Sequence, residues 1–140
     1  MKRRSLIKLS LLAMASTFAS AYDKTKIANT TKMKMKDPKK PTKGELKHTP
    51  DIHLGSVDEK GYVSVDVTVG QEGIIHPSTP DHWIYQIVLY ANDEKVGQVA
   101  LEAGISRGYL GAKVKKDGLK TLRAVASCNL HGDWEHTLTV

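Results

Sequence analysis

Cysteine is the scarcest chemistry-bearing residue in this chain, present once in 140 residues as Cys128. One thiol excludes an intramolecular disulfide framework and any four-cysteine zinc or iron site within these residues. No cysteine ends the N-terminal apolar run, which excludes the lipoprotein pattern. Methionine stops at Met35, so the weak axial ligand that a blue-copper site takes from just after its last histidine is missing. Long hydrophobic runs are missing too. The best, Leu6 to Phe18, is short and broken by Lys8, Ser10 and Ser16, too little to span a bilayer. No segment repeats its apolar residues at helical period over a useful length.

Positive charge is plentiful but misplaced for nucleic acid. Of 21 basic and 15 acidic side chains, residues 1–21 carry four basic and no acidic ones, and residues 22–48 carry nine lysines against Asp23, Asp37 and Glu45. Residues 49–140 hold eight basic and twelve acidic side chains. The folded part is therefore mildly acidic, and no nucleic-acid partner is expected. Lys2, Arg3, Arg4 and Lys8 followed by the apolar run and Ala19-Ser20-Ala21 form an export signal peptide over 1–21, with cleavage before Tyr22. Arg3-Arg4-Ser5-Leu6-Ile7-Lys8 fits the twin-arginine pattern about as well as the general secretory one. Either route leads to an exported, periplasmic protein. There, an unpaired cysteine calls for burial, pairing between chains, or a metal.

Residues 22–46 are rich in lysine and threonine with two prolines, and read as a flexible linker. Strand patterns follow over 47–140. Val63, Val65, Val67 and Val69 alternate with Ser64, Asp66 and Thr68. Trp83 to Tyr90, Lys95 to Ala103, Tyr109 to Val114, Leu119 to Ser127 and Trp134 to Val140 continue the series, with turns at Asn92-Asp93-Glu94 and Lys116-Asp117-Gly118. Many short strands at this spacing predict an all-β fold, an antiparallel β-sandwich.

The chemistry-bearing residues sit at the ends of these strands. His76-Pro77-Ser78-Thr79-Pro80-Asp81-His82 is a two-proline loop with a histidine at each end. Ser127-Cys128-Asn129-Leu130-His131-Gly132 joins the last two strands, and its Cys-x-x-His spacing in a glycine-ended turn can aim both side chains at one point. Thiolate plus imidazole suits zinc, copper or iron, and the residues alone leave those three open.

Lys47-His48-Thr49-Pro50, His76 to Ile84 (HPSTPDHWI) and Ser127 to Glu135 (SCNLHGDWE) together resemble the superoxide reductases, the neelaredoxin and desulfoferrodoxin family. The resemblance covers about 47–140. It implies a seven-stranded immunoglobulin-like sandwich without the rubredoxin-like iron domain of some members, which would need four further cysteines. It also implies one mononuclear Fe2+/Fe3+ centre per chain, with His48, His76, His82 and His131 as equatorial imidazoles and Cys128 as axial thiolate. The open sixth position would take superoxide, which leaves as hydrogen peroxide after one electron from an external donor, a small periplasmic redox protein. A homo-oligomer is compatible with the sequence.

Lys47 matches the family lysine beside the first ligand, whose ammonium would attract the anionic substrate and organise proton delivery. One departure stands next to it. The family order Glu-Lys-His is here Glu45-Leu46-Lys47-His48, and in an extended segment a one-residue shift turns a side chain to the other side. The glutamate cap of the oxidised iron is therefore expected to be lost, leaving water or hydroxide in its place. His53 is the substitute first ligand if His48 cannot reach; His136 and the tryptophans, Trp83 and Trp134, read as packing residues. The competing functions are a blue-copper electron carrier and a non-catalytic metal-binding module of the same fold.

Overall fold

The computed structural model describes residues 22–140; the export signal read at 1–21 lies outside the described residues. Two sheets face each other. One contains β2 (Pro50–Val57), β3 (Tyr62–Val69) and β6 (Tyr109–Lys115), in the order β2-β3-β6. The other contains β1 (Lys32–Met33), β4 (Ile84–Ala91), β5 (Glu94–Ala100), β7 (Thr121–Cys128) and β8 (Gly132–Thr139), in the order β1-β8-β7-β4-β5. Seven of these eight strands form the all-β sandwich that the sequence pattern predicts. The eighth, two-residue β1, is an addition.

The core lies between the sheets, where alternation requires it. Val63, Val65, Val67 and Val69 are all buried, and pack with Ile87, Leu89, Leu122 and Ala124 of the opposing sheet. Trp83 is also buried, its indole N–H donating to the Leu101 carbonyl at 3.0 Å. Among the described residues no helix is long and apolar enough to cross a membrane.

Two expectations about the N-terminal segment need correction. Residues 22–46 are not a free linker. Within them β1 joins the sheet edge, pairing parallel with β8 through Lys32 opposite Asp133 and Met33 opposite Trp134. Composition does not reveal this pairing, because its bonds are backbone to backbone and need no apolar side chains. Nor is Glu45 to His48 extended. Lys43–His48 is a short helix, α1, started by a capping box in which Thr42 Oγ1 accepts from the Glu45 N–H and the Glu45 carboxylate accepts from the Thr42 N–H. Reciprocal caps of this kind satisfy the first orphan donors of a helix.

Strand register explains where the site lies. Ile84 opposes Cys128 and Cys128 opposes Gly132, so the start of β4, the end of β7 and the start of β8 share one end of their sheet. Pro50 opposes Val69, which places the start of β2 beside the end of β3. Every chemistry-bearing loop named above leaves the sandwich at that end.

Candidate metal centre

His48 is the last residue of α1 and is buried. Its Nδ1–H donates to the Gly44 carbonyl one turn back, at 2.6 Å, which leaves the lone pair on Nε2. His76 is fixed in the same way. The chain turns at Gly70 (φ 113), where a Cβ would collide with the Ile74 carbonyl, and the His76 N–H donates back to Val69 at 3.1 Å. His76 Nδ1 then faces the Pro77 carbonyl at 2.7 Å. Its Nε2 is left buried with no hydrogen-bond partner. A buried, unpaired nitrogen is costly unless something absent from a bare chain binds it.

The four imidazoles of His48, His76, His82 and His131 close into a square. Going round it, successive ring centroids lie 4.8, 4.6, 5.0 and 4.7 Å apart, each ring edge-on to the next at 67–78°. Inside it, His131 Nδ1 faces His48 Nε2 at 3.0 Å, His82 Nε2 at 3.2 Å and Cys128 Sγ at 3.6 Å. A single proton on that nitrogen can serve one of these neighbours well. A cation at the centre serves all of them. The ligand atoms of His48, His82, Cys128 and His131 lie within 4.8 Å of one another. His76 falls outside that group of four and joins through its rings' contacts with His48 and His82.

Burial prepares these groups for a cation. Removal from water pushes His48 down to about 4 and His76 to about 3, and lowers His82 as well, with the neighbouring cationic forms adding to the effect. Burial thus favours the neutral form of these three rings, the form that ligates. Cys128 is fully buried, and burial pushes its thiol up, opposed by the Leu130 and His131 N–H groups. A metal would reverse that preference and hold the thiolate. Lys47 is half-buried, and its charge acts on both His48 and His82.

The remaining candidates lie elsewhere. His53 sits exposed on β2, with Nε2 3.0 Å from Asp51 Oδ2, and does not substitute for His48. His136 opposes Ala124 on β8. Glu45 is buried three residues before His48, but both its oxygens are occupied, one by the Thr42 N–H at 2.9 Å and the other by the Lys36 N–H at 3.0 Å. Those two donors, Thr42 foremost, hold its carboxyl below the usual range.

Three further residues support the site: Asn129 and Gly132, which carry no metal-ligand chemistry of their own, and Trp134, the packing residue that its sequence context predicts. Asn129 Oδ1 accepts from the Trp83 N–H at 3.0 Å, and its Nδ2 donates to the Asp81 and Lys26 carbonyls at 2.9 and 3.1 Å, tying the Cys128 loop to the His82 loop. Gly132 (φ 89) leaves room for the Thr31 carbonyl, which a Cβ would strike. Trp134 stacks on His48 (5.4 Å, 25°) while its indole N–H donates to the His131 carbonyl at 3.0 Å. The signal for Asn129 was its place directly after a strand-ending ligand.

Comparison with known proteins points to one family. The family described as desulfoferrodoxin matches residues 39–137. A superoxide reductase of Pyrococcus abyssi is 40% identical over 105 residues, covering 67% of this chain and 86% of that protein. Among solved structures, the superoxide reductase of Giardia intestinalis is 28% identical with a TM-score of 0.58, over 67% of this chain and 98% of that one. A superoxide reductase (neelaredoxin) from Archaeoglobus fulgidus gives 28% and 0.58, over 69% and 90% of the two chains.

Proposed function

Because the chain belongs to the desulfoferrodoxin family of superoxide reductases, we propose that it holds one iron ion through His48, His76, His82, His131 and Cys128, and reduces superoxide there. The overall step adds one electron and two protons to superoxide and gives hydrogen peroxide. When bound, the iron supplies that electron and regains it from outside the protein.

The chain's own residues have distinct tasks. The imidazoles bind as neutral ligands through lone pairs that Gly44 and Pro77 select on His48 and His76. The Cys128 sulfur brings the negative charge, and its burial keeps bulk water away from it. Lys47, half-buried beside His48 and His82, attracts the anionic substrate and orders a water that passes a proton. Glu45 does not cap the oxidised centre, because the Thr42 and Lys36 N–H groups hold its two oxygens at the start of α1 and in the preceding segment. The electron donor is a small redox protein, and the basic, apolar start of the chain supports export to the periplasm.

The observation that carries this reading is the square of four imidazoles with one buried, unpartnered nitrogen and one sulfur. Metal analysis with a visible spectrum before and after mild oxidation tests it. Stoichiometric iron and a thiolate-to-ferric band, lost in Cys128→Ser, are expected. Copper in place of iron, or no metal in carefully prepared protein, overturns the reading.

A further inference from the structure

Residues 23–36 precede the family match, which begins at residue 39, yet they touch the pieces of chain that carry four of the five donors. At the His82 loop, Lys26 Nζ donates to the Pro80 carbonyl at 3.0 Å and lies 3.5 Å from Asp81. At the Cys128 loop, the Ala28 N–H donates to the Asn129 carbonyl at 2.8 Å while Asn129 Nδ2 donates to the Lys26 carbonyl at 3.1 Å. Beyond His131, the Asp133 N–H donates to the Thr31 carbonyl at 2.9 Å, and β1 continues beside β8. At the far end, the Lys36 N–H donates to Glu45, three residues before His48. The contacted residues Asp81 and Asn129 each adjoin a donor in sequence, as does Gly132, which packs against the Thr31 carbonyl.

The same segment contributes nothing to the hydrophobic core cluster, whose members begin at Ile52. Its side chains are mostly exposed or half-buried. The fold therefore has its own cohesion, and the segment's bonding is spent on the loops.

We propose that residues 23–36 are a positioning strap that holds the His82 loop, the Cys128–His131 turn and α1 in ligating register, and so sets how firmly the metal is retained. The inference rests on the metal site proposed above. It also has a thermodynamic corollary. If the strap favours the metal-bound arrangement, the metal must favour the docked strap by the same factor, because coupling between two equilibria is reciprocal.

The corollary can be tested on the unaltered protein. Amide hydrogen exchange is followed with and without ferrous iron under anaerobic conditions. We expect the Ala28, Lys36 and Asp133 amides to exchange about tenfold more slowly with iron, within the ordinary range of such couplings, while amides of β3 and β6 change little. Equal protection of those three amides in both states overturns the proposal. Ala28→Pro, which removes the N–H bonded to Asn129, and the milder Lys26→Met give a second test. Each should speed iron release to a chelator and, in metal-free protein, speed alkylation of the buried Cys128 thiol, with circular dichroism unchanged. Wild-type rates in both assays sink the strap. Wild-type protein that takes up no iron sinks the metal assignment instead, and the thiol assay then still decides whether the strap holds the loops.

Discussion

Two asparagines do the same backbone work at opposite ends of this sandwich. Asn92, at the far end, sits in the β4–β5 turn with φ 48, donates to the Gly118 carbonyl at 2.9 Å, and accepts from the Lys120 and Thr121 N–H groups at 2.8 and 3.2 Å. Asn129, at the metal end, also makes three bonds to distant backbone groups. The difference is water. Asn92 is exposed, so solvent can replace its bonds, whereas Asn129 is 1% exposed and its partners include the N–H of buried Trp83. Local turn chemistry suffices where a loop only reverses the chain. A loop that must aim ligands needs its orientation fixed from several directions in a dry environment.

The largest contrast between the ends should appear in acid. His76 and His48 have folded values of about 3 and about 4, below the ordinary 6.5. As pH falls below 6.5 the unfolded chain therefore takes up protons that the folded chain refuses. Stability present above pH 6.5 is lost progressively as pH drops through 4 towards 3, by on the order of several kcal/mol. Urea titrations of metal-free protein across that range should show the slope, and a His76→Phe variant should flatten it. A flat profile in the parent protein would remove the claim that burial has prepared these rings. Iron-loaded protein should hold its stability further into acid, until proton competition strips the ligands.

Next in size is the asparagine pair itself. Asn129→Ala leaves the buried Trp83 N–H and two half-buried carbonyls without their partner, and should cost about 3 kcal/mol, most of it from the Trp83 N–H, since an unsatisfied buried group costs roughly 1–3. It should also speed iron loss. Asn92→Ala should cost about 1 kcal/mol, mostly from the left-handed backbone that alanine tolerates poorly, with iron retention unchanged. Comparable costs for the two, or iron loss from Asn92→Ala, would break the comparison. Lys47→Ala should act on rate alone, slowing superoxide consumption by about tenfold and weakening its dependence on salt, as loss of a steering charge predicts.

These contrasts also mark how far the residues alone could be read. The valine alternation of β3 and the punctuated loops around His76, His82, Cys128 and His131 were legible because period and turn chemistry are local signals. The strap was not, because lysines and threonines carry no burial signal and its partner is the edge of β8, about a hundred residues away. α1 was hidden for another reason: at six residues it is too short to show a period. Its start signal, Thr42-x-x-Glu45, is present, but the family resemblance gives Glu45 a competing meaning as a metal cap.

Glu45 therefore offers the smallest and most discriminating test. One carboxylate joins two sections of chain, accepting from Thr42 at the N-cap of α1 and from Lys36 in the preceding segment. Glu45→Gln keeps one acceptor oxygen, and Glu45→Ala keeps none. If the carboxylate is a clasp, the two variants should form a graded series, with alanine losing iron faster than glutamine and both slightly less heat-stable than the parent. The ferric spectrum should stay where it is in all three, since no carboxylate leaves the metal. If the carboxylate instead reaches the oxidised centre, both variants should shift the ferric band by similar amounts. A neutral amide and a methyl group are nearly equivalent losses to a metal ion, but not to a pair of backbone donors.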